Sequence, residues 1–303
     1  MKRLVLTFAI LIGLAAPAWA GFVEGVAAYN RGDYGTALRE FRPLAEQGDS
    51  LAQSYLGFMY DDGQGVPRDD AEAAKWYRKA AKQGEAIAQG KLGFMYGNGR
   101  GVPRDDGEAV KWYRKAAEQG NARAQHNLGF MYSEGRGVPR DYAETVKWYR
   151  KAAEQGYAGS QNNLGLMYNN GRGVPQDYAE AAKWYRKAAE QGNSHSQYNL
   201  GRKYYEGRGV PQDYAEAMKW YRKAAEQGDA SGQYNVGVMY GKGQGVPQDT
   251  VQAHMWFDLA ASRLPPGTER DMAAKSRDII ARKMTAAQIV EARRLAREWQ
   301  PKK

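Results

Sequence analysis

Apolar and polar positions follow one another along most of this chain with a helical rhythm, and the rhythm restarts at a fixed interval. In the stretch that opens at Asn121, Ala124, Leu128 and Met131 fall at i, i+4 and i+7, on one face of a helix. Gly129 stands inside that helix, where it costs about 1 kcal/mol against alanine. Its presence predicts a neighbouring backbone or aromatic ring too near for a Cβ. The helix is predicted to end at Gly135, and Gly137 with Val138-Pro139 makes the turn, because proline cannot continue the hydrogen-bond ladder. A second helix is predicted from Asp141, with Glu144 three residues on as the other half of a capping box. Val146, Tyr149, Ala152 and Ala153 form its apolar stripe beside Trp148, and Gly156 stops it.

The same string returns five more times. Trp76, Trp112, Trp148, Trp184, Trp220 and Trp256 are each thirty-six residues apart, and the Val-Pro pairs keep the same interval. The units run over 49–84, 85–120, 121–156, 157–192, 193–228 and 229–264. One such hairpin has too small a core to fold alone, since short isolated helices are marginal in water. Stacked hairpins bury their Trp-Tyr pairs between helices ~8–10 Å apart. The predicted fold is therefore all-α, a right-handed superhelical solenoid of antiparallel helix pairs with a concave and a convex side.

The strings Leu128-Gly129-Phe130-Met131-Tyr132, Gly135-Arg136-Gly137-Val138-Pro139 and Lys147-Trp148-Tyr149-Arg150-Lys151-Ala152-Ala153 resemble the Sel1-like repeat, a relative of the tetratricopeptide repeat. The resemblance runs from Asp49 to about Ala261. It implies an adaptor that holds protein partners, in bacteria often at the envelope or at host contact. One branch of the family has been described as penicillin-binding or β-lactamase-like and is rich in cysteine. This chain has no cysteine, and no serine with a lysine three residues on.

Both ends depart from the repeat. Residues 21–48 look like a shorter tetratricopeptide hairpin that caps the stack, with Pro43 in the register of Lys79, where it should kink or shorten its helix. Residues 265–303 form a helical C-terminal cap: Pro265-Pro266-Gly267 marks a boundary, one helix is expected from about Thr268 to Lys283, and another from Thr285 with Gln288 as capping-box partner. At the start, Met1-Lys2-Arg3, the apolar run Leu4 to Ala16 and Ala18-Trp19-Ala20 read as a signal peptide over 1–20, which gives an exported, periplasmic or secreted protein. The apolar run is too short to cross a bilayer, which takes ~20 residues of helix, and no other stretch is longer.

Charge and candidate chemistry narrow the function. The net charge is +10, and from Arg263 to Lys303 eleven basic residues face five acidic ones, so the excess sits in the tail and the repeats are nearly neutral. That distribution speaks against a nucleic-acid partner. It suits contact between the tail, through Arg293, Arg294 and Arg297, and an anionic envelope surface. No cofactor is expected: His126, His195 and His254 occupy different positions of their units, so no metal-ligand set is expected from them, and the recurring Asp-x-x-Glu pairs are caps rather than catalytic dyads. What varies between units is the third, sixth and tenth position of the first helix. By the resemblance, Asn127, Asn163, Asn199 and Asn235 at the seventh position are candidates to clamp an extended peptide, with His126, Tyr198 and Tyr234 beside them. The alternative is that these asparagines bond neighbouring helices within the stack. The reading is a non-enzymatic protein- or peptide-binding adaptor, with an envelope protein acting on peptidoglycan or β-lactams as the rival, and restraint of a membrane sensor from outside as a variant of the first.

Overall fold

The structure, a computed structural model, describes residues 19–301; Lys2, Arg3 and the apolar run read as a signal peptide lie outside the described residues, while Trp19 and Ala20 open the first helix. Among the described residues there are sixteen helices and no strands. Contacts divide the described residues into two compact units, one ending at Trp148 and one beginning at Tyr149. Each is an array of stacked antiparallel hairpins of the all-α repeat-solenoid class. The first holds α1 (19–30), α2 (Tyr34–Glu46), α3 (Ser50–Asp62), α4 (Asp70–Lys82), α5 (Ala86–Asn98), α6 (Asp106–Glu118) and α7 (Ala122–Glu134), and α8 (Tyr142–Glu154) contains the boundary. The second holds α9 (Ala158–Asn170), α10 (Tyr178–Glu190), α11 (Ser194–Glu206), α12 (Tyr214–Glu226), α13 (Ala230–Lys242), α14 (Thr250–Arg263), α15 (Thr268–Ala281) and α16 (Ala286–Glu298). No described helix is long and apolar enough to cross a membrane.

The odd-numbered helix of each repeat carries the internal glycine, and the structure shows what needs it. A Cβ on Gly57 would lie 2.4 Å from Cε1 of Tyr77, and one on Gly165 would lie 2.6 Å from Cε1 of Tyr185. The tyrosine ring of the second helix therefore packs flat on the backbone of the first. Around it, Tyr77, Ala80 and Ala81 of α4 join Leu92 and Met95 of α5 and Trp112 of α6 in one core cluster. Ala181, Tyr185, Leu200 and Trp220 repeat the arrangement in the second unit. Trp76, Trp112, Trp148, Trp220 and Trp256 thus each close a core begun by the preceding hairpin, which is why one hairpin is not a folding unit.

The turn between the paired helices is made by glycine. Gly99 ends α5 in the left-handed region at φ 67°, and its N–H reaches the Met95 carbonyl. Two residues on, a Cβ at Gly101 would lie 1.9 Å from the Asp70 carbonyl oxygen, so the loop rests directly on the start of α4.

Aspartate caps the second helices as expected, but the glutamate half of the box is used differently. Asp105 accepts from the Glu108 N–H, while its own N–H donates to the Tyr96 carbonyl at 3.0 Å. With that donor satisfied, Glu108 turns away and accepts from Trp112 Nε1 at 3.0 Å and Lys111 Nζ at 2.9 Å. Glu216 does the same for Trp220 and Lys219. A reciprocal capping box is present at α16, between Thr285 and Gln288.

Amides also join the two helices of a repeat to each other and, at Gly48 and Gly84, to the end of the preceding segment. Gln83 Nε2 donates to Gln53 Oε1 and to the Gly48 carbonyl, both at 2.9 Å, and Gln119 repeats the link to Gln89 and Gly84. In the second unit Gln191 meets Gln161 and Gln227 meets Gln197, each at 2.7 Å.

Pro43 does not shorten its helix: α2 runs thirteen residues to Glu46 with the proline inside it. The Arg39 carbonyl loses its proline-blocked donor, and both residues are exposed, so the cost of that loss is small.

Candidate binding face

In the repeats of the first unit, every large hydrophobic side chain that stands exposed belongs to a first helix: Leu51 of α3, Ile87 and Phe94 of α5, Phe130 of α7. Leu51 and Ile87 hold the third position of their repeats and Phe94 and Phe130 the tenth. Seven residues is two turns, so these positions lie on one side of each helix. The second helices keep their indoles and tyrosines inside and show lysine and arginine outside.

Between α3, α5 and α7 this side opens into a cavity of about 290 Å³, bordered by Ile87, Gly90, Lys91, Phe94, Arg123 and Asn127 with Asp61 and Arg100 at one end. Gly90 deepens it, because the space its Cβ would enter holds nothing closer than 3.9 Å. Asp61, 8% exposed, is held by Lys91 at 3.0 Å and Arg100 at 2.8 Å, and Arg100 also reaches Asp70 at 2.9 Å. Bonding by Arg100 and then Arg68 lowers the Asp70 carboxyl to about 2. Lys91 lies over the Phe58 ring at 5.1 Å and Arg100 over Phe94 at 5.8 Å, so the cluster is stitched to the aromatic row. One repeat further, Gly97 replaces Asp61 and Asn127 replaces Lys91. Arg136 then bonds the Gly97 carbonyl at 3.0 Å and Asp106 at 2.7 Å, beside a second, 140 Å³ cavity walled by Phe94, Tyr113, Asn127 and Phe130.

The asparagines anticipated at the seventh position have several duties. Asn127 borders both cavities and bonds the Tyr113 phenol, whose pKa burial pushes up to about 12 against that bond. In the second unit Asn163 accepts from Asn162 at 3.3 Å. Asn199 is 9% exposed and donates across to Asn162 on α9 at 3.4 Å, a bond inside the stack. Asn235 donates back to the Ser231 carbonyl at 2.9 Å and borders a cavity of about 300 Å³ together with Tyr198, Tyr234, Leu264, Glu269 and Met272. His126 is half-buried, and burial, then Arg123, lowers its pKa to about 4, so the ring is neutral at pH 7. His195 is exposed, 3.3 Å from the Asp229 carboxylate, while His254 is buried. Among the described residues no three of the metal-ligating side chains come together.

Of the basic tail residues, Arg294 is already engaged by Glu291 at 2.7 Å and by Glu298. Arg293 and Arg297 are exposed on the same helix. Lys91, Arg100 and Asp61 escaped sequence reasoning because their meeting spans 30 and 39 residues and does not recur in other repeats. The one signal was Lys91 standing in the asparagine column.

The Sel1 repeat model matches residues 50–85, 86–121, 122–157, 158–193, 194–229 and 230–263. Among solved structures the chain is similar to a Sel1 repeat protein from Oxalobacter formigenes, at 34% identity and a TM-score of 0.72 over 82% of this chain and 98% of that one. It is also similar to c5321, a protective antigen of uropathogenic Escherichia coli displaying an SLR fold, at 31% identity and a TM-score of 0.42 over 93% of this chain and 76% of that one. No curated protein matches it. Repeats of this kind generally mediate protein–protein interaction. With six consecutive matches and the hairpin, glycine and indole arrangement described above, the chain belongs to the Sel1 repeat family.

Proposed function

We propose that this chain is a non-enzymatic adaptor that binds a protein or peptide along the exposed side of its first helices. The observation that carries this reading is the confinement of exposed apolar bulk in the first unit's repeats to Leu51, Ile87, Phe94 and Phe130, with Ile87 and Phe94 bordering a 290 Å³ cavity rimmed by Lys91, Arg123 and Asn127. Exposed apolar patches with polar rims are characteristic of interaction surfaces. Several repeats engaging one extended partner let modest contacts add up. Residues 21–48 and 265–303 serve as caps; Trp299 of the latter lies 6.1 Å from Trp256 and covers the end of its core. The address is the periplasm or the exterior, on the strength of the basic start, short apolar run and Ala18-Trp19-Ala20 in the sequence. Arg293 and Arg297 are the tail's contacts for an anionic envelope surface.

The test is a photo-crosslinking amino acid placed in the native cell at Phe94, at Phe130 and, as a control, at the exposed second-helix position Lys111. A common adduct from the first two and none from Lys111 is expected. Equal adducts from all three, or none from Phe94 and Phe130, would overturn the reading.

A further inference from the structure

The cavity of the second unit differs in chemistry from those of the first. Tyr198 and Tyr234 occupy the sixth position of consecutive first helices, α11 and α13, and together form one wall. Glu269 and Met272, both exposed and in the first turns of α15, form the other. Every polar group it offers can accept: two phenols, the Ser231 hydroxyl, the Asn235 carbonyl oxygen and the Glu269 carboxylate. One Asn235 amide N–H is already engaged by the Ser231 carbonyl at 2.9 Å. No lysine or arginine borders the cavity. Arg202, one turn along α11, acts on the Tyr198 phenol but does not border the cavity and approaches Glu206 at 3.9 Å, and Arg263 lies over the Trp299 ring at 4.3 Å. Glu269 has no basic partner among the described residues.

Three kinds of ligand group can be compared against that inventory. An anion would meet acceptors and aromatic rings, with no lysine or arginine in the lining to bond it. An uncharged apolar group would cover Glu269 and strip its hydration without return. A cation meets two tyrosine side chains and a carboxylate at once, the kinds of group by which proteins recognise ammonium and guanidinium groups. The volume of about 300 Å³ accommodates a long side chain but not a folded surface. We infer that the cavity walled by Tyr198, Tyr234 and Glu269 is a subsite for the arginine or lysine side chain of an extended peptide. This inference rests on the first helices being the binding face and adds the identity of one anchor residue.

The full chain is titrated with two blocked pentapeptides, Ala-Ala-Arg-Ala-Ala and the same peptide with citrulline, by calorimetry and by saturation-transfer NMR. The arginine peptide is expected to bind at least tenfold more tightly, because citrulline keeps the shape and loses the charge. Glu269→Gln should weaken the arginine peptide about five- to tenfold and leave the citrulline peptide unmoved. Helicity and melting temperature should not change, since Glu269 is exposed. Tyr234→Leu should weaken it by a comparable factor. Equal binding of the two peptides, absence of binding by both, or indifference to Glu269→Gln overturns the assignment. So does competition by free arginine amide at the peptide's own concentration, which would assign the subsite to small organic cations. Any of these results with crosslinking at Phe94 and Phe130 intact leaves the binding face standing without the subsite. Arginine-peptide binding without those adducts leaves the subsite standing and removes the aromatic row from the binding face.

Discussion

The ring of Tyr185 lies so close over Gly165 that a Cβ built on the glycine would sit 2.6 Å from its Cε1. Alanine at this position gains about 1 kcal/mol of helix propensity and meets a ring that is itself fully buried. Overpacking of that kind costs roughly 1–3 kcal/mol more than it returns. Gly165→Ala should therefore lower stability in chemical denaturation followed by circular dichroism. Gly90→Ala, where the nearest atom is 3.9 Å away, should raise it by about 0.5–1 kcal/mol.

Lys203 occupies the place held by Met59, Met95, Met131, Met167 and Met239 in other repeats, and it is 1% exposed. Its ammonium bonds the Asn169 side-chain oxygen and lies 4.4 Å from the centre of the Tyr178 ring, with Arg202, Glu206 and Arg208 as the charged groups around it. Burial, then Arg202, lowers its pKa to about 8. Between pH 8 and 10.5 the unfolded chain binds the proton and the folded chain does not, so this lysine makes stability rise with pH there. Below pH 8 its full cost is present, roughly 3 kcal/mol. Lys203→Met should raise stability at pH 7 by about 1–3 kcal/mol and flatten the pH dependence between 8 and 10.5 relative to the parent.

His126 produces an acid limb. Its folded pKa of about 4 lies below the free value of 6.5, so the unfolded chain takes up the proton first as pH falls, and stability is lost between pH 6.5 and 4. The loss from this residue is about 1–3 kcal/mol. In urea titrations across that range, His126→Gln should show a shallower decline than the parent; parallel curves would rule out the neutral imidazole.

Glu108 and Trp112 should be energetically coupled, because the carboxylate accepts the indole N–H at 3.0 Å instead of closing a capping box. A double-mutant cycle with Glu108→Ala and Trp112→Phe is expected to give about 0.5–1.5 kcal/mol of interaction. Asp105→Ala, which removes the actual cap, should cost about 1 kcal/mol whichever residue stands at 112.

Features that obey the thirty-six-residue period were legible in the sequence, because repetition separates scaffold from accident. The helix pairs, the buried indoles and the close approach to Gly57 and Gly165 all follow from it. The fate of Glu108 was not legible: the Tyr96 carbonyl that satisfies Asp105 comes from the end of the preceding helix, and only packing sets that distance. The Asp61, Lys91 and Arg100 cluster was hidden for the opposite reason, being unique to one interface. Tyr198 and Tyr234 were visible as variable positions, but Glu269 joins them from α15, outside the period. Lys203 could have been found, since one lysine in a column of methionines is a local contradiction.

The amide seam from Gln83 to Gln53 and Gly48 has a bearing on how such a chain can change length. Because Gln119 finds the Gly84 carbonyl as Gln83 finds that of Gly48, removing or duplicating one thirty-six-residue block would set an equivalent glutamine amide against an equivalent glycine carbonyl across the new junction. Length is thereby uncoupled from sequence invention: genetic slippage by one block yields a splice whose joints already fit, and the side chains between the joints are left free to diverge.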